Sequence, residues 1–348
     1  MDYKKVGILL AVGILILAVM VLIIGPDQII SALKTANIYY VILAVIVQFI
    51  ILILWNTRWS IICKSLDIPH GQVSLFAMTI IGLAINDLTP SGRSGGEPVR
   101  AYILSKQSNE DFKTTFASVM GDKIFDTVPF MVLAIFAIAY LMSYFNLGAT
   151  LFLLLLISLV LFVLALAFII LLCFNETIAI NTVKWVFRLI KRFTNKVDKY
   201  EETVLTSLVG FQSNLKYLLK DKRLLLIASL ISFLVWFLEL LRVFIVFQAF
   251  GVNVSLGMIA AVFLVSSLIG VIPLLPGGLG SIDGVMILLY SMAGISASIS
   301  TAATLIERMI SLWMVLVLGV ILIPFFGAGA LDQVWFFNAH KLFFLIIF

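Results

Sequence analysis

The sequence predicts an all-α, polytopic membrane protein with about six full spans, two re-entrant helical hairpins and an inverted repeat relating its halves. Three observations predict this class. Of the 348 residues, 63% are hydrophobic and 12% charged, and the mean hydropathy is +1.19, which leaves too little polar surface for a water-soluble domain. Several apolar runs reach the roughly 18 residues that a bilayer crossing needs. Two further stretches carry the same Gly/Pro punctuation: Leu88-Thr89-Pro90-Ser91-Gly92-Arg93-Ser94-Gly95-Gly96-Glu97-Pro98, and Pro273-Leu274-Leu275-Pro276-Gly277-Gly278-Leu279-Gly280-Ser281. Paired broken segments in corresponding halves point to a transporter-like repeat with its site at the repeat interface.

The first half is placed at 1–173. Its run at 6–24 follows Lys4 and Lys5 and is longer than a signal-peptide core, so it reads as a retained span. A short amphipathic stretch at 27–37 is expected at the outer surface. Spans follow at 39–55, 127–145 and 150–173, with a re-entrant hairpin at 73–104. A basic linker occupies 174–223, where Val183, Val186, Phe187, Ile190, Phe193 and Val197 recur at helical spacing. Lys184, Arg188, Lys191, Arg192 and Lys196 take its other faces. This reads either as a helix lying on anionic lipid or as an ordinary basic connector. The second half, 224–348, carries spans at 224–250 and 304–325 and a re-entrant hairpin at 256–290. Its tail after Phe326 is expected to be interfacial, with a further short span left open.

Charge placement sets the sides. Of the formal +5, basic residues gather at Lys4 and Lys5, at 58–64, at 93–113 and at 184–223. The connections at 146–150, 251–256 and 293–300 carry no Lys or Arg. The N-terminus and the linker are therefore expected on the cytoplasmic side of the cell membrane. Arg58, Lys64, Lys106 and Lys113 flank the first broken stretch on both sides, and uncharged loops flank the second, so the two hairpins are expected to enter from opposite faces. A shift of 185 positions lays 115–126 on 300–311, with Asp122-Lys123 falling on Glu307-Arg308. Nearly the same shift brings Arg58 to Arg242 and Pro90 to Pro276. Cys63 and Cys173 lack metal-ligand company, and His70 and His340 stand far apart, so no metal and no cofactor is expected.

Intramembrane charges are costly and each is a candidate for function. Asp122 and Asp126 share a helix face with Lys123 beside them, and Glu307 and Arg308 occupy the matching place. Interior salt bridges or a substrate path would both explain Asp122, Lys123, Glu307 and Arg308. Glu239 and Arg242, three apart, read as an interior pair. In the first hairpin, Pro98 suits a first helical turn, Gly95 and Gly96 leave backbone N–H groups open to an anion, and Arg93 and Arg100 bracket the turn as phosphate donors. Glu97 would orient an arginine or meet a cationic headgroup. In the second, Pro276, Gly277, Gly278 and Gly280 precede Ser281, read as the N-cap, with Asp283 in the first turn. Tight turning and close helix packing explain the glycines as well, but not the arginines and glutamate beside them.

These residues resemble a family. Pro90…Gly95-Gly96-Glu97-Pro98-Val99-Arg100, then Gly121-Asp122-Lys123…Asp126, then Pro276-Gly277-Gly278-Leu279-Gly280, look like the lysylphosphatidylglycerol synthase transmembrane-region family, also called the UPF0104 or flippase-like membrane proteins. The resemblance covers essentially the whole chain. It implies the lipid-moving part without the soluble aminoacyl-transfer domain, since the sequence ends at Phe348.

The expected function is a flippase-like translocator of an anionic, phosphate-bearing lipid. Arg93, Arg100 and Lys123 would capture phosphate and Arg308 would release it, with Glu97, Asp122, Asp126 and Glu307 balancing charge. The expected partners are membrane lipids with anionic headgroups; no nucleic acid is expected, and a homo-oligomer is left open. A carrier of a small anionic solute is the alternative. Enzymatic readings fare worse: Asp283 does not follow a Gly-x-Gly turn by two residues, and Lys123 would disturb an aspartyl pair. No Walker A ending follows Gly92, so nucleotide hydrolysis is not expected.

Overall fold

The computed structural model describes residues 22, 25–89, 95–144, 149–191, 198–271 and 275–326, and all regular structure among them is helical. The expected first span at 6–24, the tail after 326, and Pro90, Arg93 and Pro273 lie outside the described residues. The first half runs α1 (Pro26–Thr35), α2 (Ile38–Ser65), α3 (Gln72–Leu88), α4 (Glu97–Ser108), α5 (Phe112–Tyr144) and α6 (Ala149–Phe174). Two linking helices follow, α7 (Glu176–Lys191) and α8 (Asp198–Leu218). The second half runs α9 (Lys222–Gln248), α10 (Leu256–Val271), a 3-10 turn (Pro276–Gly278), α11 (Ser281–Met292), α12 (Ala297–Arg308), a π-helical turn (Met309–Trp313) and α13 (Met314–Phe326).

Order and length recur between the halves. Helices α2 and α9 have 28 and 27 residues, α3 and α10 have 17 and 16, and α4 and α11 have 12 each. The 33-residue α5 matches the 30 residues of Ala297–Phe326. Those two, with α2 and α9, are long and apolar enough to cross a membrane; α6 adds 26 residues without a charge. Both broken stretches are helix–break–helix units, as expected. Three spans are longer than their apolar runs. Helix α2 continues from 55 to Ser65, α5 begins at Phe112, and the last long helix begins at Ala297. Arg58, Asp122, Lys123, Glu307 and Arg308 thus lie inside helices, because ion pairing rather than water satisfies them.

The halves interlock. Helix α2 packs along α9, α3 leans on α13, and α10 leans on α5, while α4 and α11 pack on α5 and α12 within their own halves. One end of the bundle gathers Asn37, whose N–H donates to Ala249 O at 2.8 Å, and Tyr140, whose hydroxyl meets Ser255 Oγ at 3.2 Å. The other end gathers the start of α5 and helix α8, joined by Asn214 Nδ2 donating to Thr114 Oγ1 at 3.2 Å.

Part of the linker's apolar stripe is covered by protein: Ala179, Val183 and Phe187 are buried with Leu208, Phe211 and Leu215 of α8 and with Phe125 and Ile62. An amphipathic stripe covers whichever apolar surface is nearest, and α8 supplies one. Lys184 and Arg188 stay exposed on its other side. Past the linker, α9 starts at Asp221, whose carboxylate accepts from Arg223 N at 2.9 Å and Leu224 N at 3.1 Å. Replacing Asp221 by alanine is expected to cost about 1 kcal/mol, read as a small fall in melting temperature with assembly unchanged.

Candidate functional site

Each half builds a buried ion-pair network around the arginine of its first long helix. In the first, Arg58 on α2 is 2% exposed. Its Nε lies 2.7 Å from Asp122 Oδ1, and its Nη1 lies 3.0 Å from Asp126 Oδ1 and 2.9 Å from Ser232 Oγ on α9. Asp122 takes a second guanidinium through Oδ2, from Arg100 Nη2 of α4 at 3.0 Å. That guanidinium rests 4.0 Å over the ring of Trp59, whose Nε1 donates to Ser118 Oγ at 3.2 Å. One residue on from Asp122, Lys123 Nζ pairs with Glu97 Oε1 at 2.8 Å.

In the second, Arg242 on α9 pairs through Nη2 with Glu239 Oε2 at 2.6 Å and Glu307 Oε1 at 2.8 Å, and its Nη1 donates to Gln48 Oε1 on α2. One residue on from Glu307, Arg308 Nε lies 2.8 Å from Asp283 Oδ1 of α11, and its Nη2 donates to Gly277 O at 2.5 Å. The plan repeats: arginine to the carboxylate three helices further on, then the next residue, a cation, to a carboxylate in the first turn of the second hairpin helix. It also crosses. Arg58 reaches position 232 and Arg242 reaches position 48, which are counterparts under the same offset. A contact that steps forward along α2 steps backward along α9, so the two helices run antiparallel.

The hairpin breaks carry local logic. At the first, Gly96 N donates to Asn86 Oδ1 at 2.6 Å, and Asn86 Nδ2 donates to Glu97 Oε1 at 3.3 Å. The backbone donor expected to be open at Gly96 is therefore taken by Asn86. At the second, Gly277 and Gly278 have φ of 57° and 64°, a left-handed pair that glycine adopts without penalty. The expected N-cap also moves: Gly280 holds that position, and its N–H donates to Asp283 Oδ2 at 2.7 Å, while Ser281 Oγ donates to Gly278 O at 3.1 Å. The carboxylate wins because it is the stronger acceptor. Pro276 stands buried at the start of the turn. A Cβ on Gly277 would stand 3.2 Å from Asp87 O and 2.7 Å from Leu312 Cδ1, so the second tip abuts the end of α3, where the first hairpin breaks.

Of the expected site residues, Arg100, Asp122 and Asp126 meet around Arg58, Glu97 pairs with Lys123, Gly277, Gly280, Asp283 and Arg308 are joined in the second half, and Glu307 is joined to Arg242; Arg93 lies outside the described residues. Glu97 pairs with Lys123 rather than an arginine, because the helix turn that carries it faces α5. Arg58, Trp59, Asn86 and Gln48 are site residues that the sequence reading did not select. An arginine within an apolar run was the available signal for Arg58.

The whole chain supports a family assignment. The family described as the lysylphosphatidylglycerol synthase TM region matches residues 7–319. The chain belongs to that family. Similar proteins include a UPF0104 membrane protein of Methanothermobacter thermautotrophicus, 44% identical over 94% of this chain and 98% of the relative. A second, from Methanocaldococcus jannaschii, is 33% identical over 91% of this chain and 94% of its own. A third, from Pyrococcus horikoshii, is 26% identical over 92% of this chain and 96% of its own. As a member of the lysylphosphatidylglycerol synthase TM-region family, the chain is a multi-pass membrane protein.

Proposed function

We propose that the chain moves an anionic, phosphate-bearing lipid between the leaflets of the cell membrane, with no aminoacyl-transfer chemistry of its own. The observation that carries this reading is Arg100. It sits in the first turns of α4, its Nη2 is tied to Asp122, and its Nε is buried without a hydrogen-bond partner. Glu97, one turn earlier, likewise keeps Oε2 buried and unpartnered. An unspent guanidinium donor beside a helix N-terminus and a one-third-exposed Lys123 is what a phosphate group needs. The antiparallel seam of α2 and α9 supports an inverted repeat, and the meeting hairpin tips support a site at its interface.

The path begins in the cytoplasmic leaflet, at the bundle end where Lys64, Lys106, Lys113 and Lys216 gather. Phosphate passes from Arg93, Arg100 and Lys123 past the tips to Arg308. Asp122, Asp126 and Glu307 hold the arginines while the substrate is absent. Rocking of one half against the other exposes the site to each leaflet in turn.

The test is leaflet exchange in proteoliposomes containing headgroup-labelled lipids. Anionic lipids are expected to exchange, and Arg100→Gln and Lys123→Gln are each expected to slow exchange about 10- to 100-fold, the worth of one charge-assisted hydrogen bond. Uptake of free phosphate or another small anion with no lipid exchange would replace this reading with the solute carrier. Exchange that is indifferent to headgroup charge would remove it.

A further inference from the structure

The two networks differ at one place, and the difference points to a ligand. Asp122 meets two guanidinium groups, those of Arg58 and Arg100. Its counterpart Glu307 meets one among the described residues, that of Arg242. At the shift that lays Pro90 on Pro276 and Glu97 on Asp283, the position matching Arg100 is Met286, which brings no charge. Around Glu307 the second half instead places hydroxyl groups. Ser300, Thr304 and Glu307 fall at helical spacing on one face of α12, and α11, which carries Tyr290, packs on α12.

All three hydroxyl residues are at most 1% exposed, and none of the three hydroxyls has a hydrogen-bond partner. Tyr290 is held edge-on against Phe247, ring centroids 4.6 Å apart. In the first half the matching positions are quiet: Thr115 donates to Phe112 O at 3.1 Å, and Val119 stands where Thr304 does. Buried hydroxyls without partners are costly unless something satisfies them.

We infer that Glu307, Thr304, Ser300 and Tyr290 bind a small monovalent cation of sodium size, which takes the part in the second half that the Arg100 guanidinium takes in the first. The donor set is all oxygen, the preference of a hard cation. A single carboxylate favours one positive charge over two, and no group of three acidic, histidine or cysteine side chains for a divalent metal occurs among the described residues. Arg242 does not displace the ion, since its Nη1 is engaged by Gln48 and its Nη2 by Glu239 and Glu307 Oε1. The binding claim stands without the transport reading. That the ion drives the lipid step rests on that reading, and the two are measured separately.

The experiment is thermal melting of the purified full chain in detergent, in sodium, potassium or choline chloride at one ionic strength, together with binding of radioactive sodium. Sodium is expected to raise the melting temperature over choline, with potassium weaker. Thr304→Val and Tyr290→Phe are expected to fold in choline and to weaken sodium binding about tenfold each, the value of one lost ligand of ordinary strength. Thr115→Val, the first-half control, is expected to keep the full response. Equal melting in sodium and choline with no bound sodium would overturn the inference, as would a sodium response that both second-half variants retain. A response to pH in choline that replaces the sodium response would overturn it in favour of a proton.

Discussion

Replacing Arg242 by methionine is expected to leave little folded protein. Arg242 is 1% exposed and holds Glu239, Glu307 and Gln48 together. Removing it takes the arginine away from two buried carboxylates, a change that costs about 3–5 kcal/mol where one buried partner is lost, against a total stability of about 5–15 kcal/mol. Size-exclusion profiles and melting temperatures in detergent read the result. Adding Glu239→Gln and Glu307→Gln to the same chain is expected to restore much of the loss, since the carboxylate charges go with the arginine. Failure of that triple variant to recover would mean that Arg242 acts through packing instead. The matching change at Arg58 is expected to be milder, because Arg100 still holds Asp122.

The second large effect is expected at Gly96. A Cβ there would stand 1.9 Å from the carbonyl oxygen of Gly82 and 2.6 Å from its carbon. Both neighbours are backbone, so Gly96→Ala must push α4 away from α3. The backbone at Gly96 is itself ordinary, with φ −86° and ψ −21°, so the penalty is steric and not conformational. Overpacking of this kind costs about 1–3 kcal/mol or more, and it moves Glu97 and Arg100 off their partners. Lipid exchange in proteoliposomes is therefore expected to fall at least about tenfold, as for any catalytic group displaced by an ångström or so, in protein that still inserts. Gly82→Ala meets side-chain rather than backbone atoms, Arg100 Cδ at 2.4 Å and Cγ at 2.5 Å, and because Asp122 and Trp59 hold that side chain it is expected to slow exchange through Arg100 with a smaller loss of stability. Gly71→Ala, whose nearest neighbour is 4.0 Å away, is expected to change nothing.

What the sequence revealed and what it hid follow from the range of the interactions. Apolar length and Gly/Pro breaks are local, so the helical class, both broken stretches and the matching of Asp122-Lys123 with Glu307-Arg308 could be read directly. The adjacent pair Glu239 and Arg242 was legible for the same reason, and the structure places them 2.6 Å apart. Arg58 was read as a flank of the membrane because its carboxylate partners lie on a helix that follows the hairpin. Span ends were placed where charges began, whereas the helices carry those charges inward and pair them. Gly96 was read as an open donor because Asn86 approaches from across the break, and nothing in the local sequence announces it. The linker stripe was legible as a stripe but not in what it covers, since periodicity names a face and not its occupant.

The crossing of Arg58 to Ser232 and Arg242 to Gln48 has a consequence for ancestry. A seam in which each side repeats the other is isologous, the kind that joins identical subunits about a two-fold axis. An inverted repeat would let one half encode both surfaces of this joint, and the positions at which the two networks differ, Arg100 against Met286 and Val119 against Thr304, are where two such copies would have diverged.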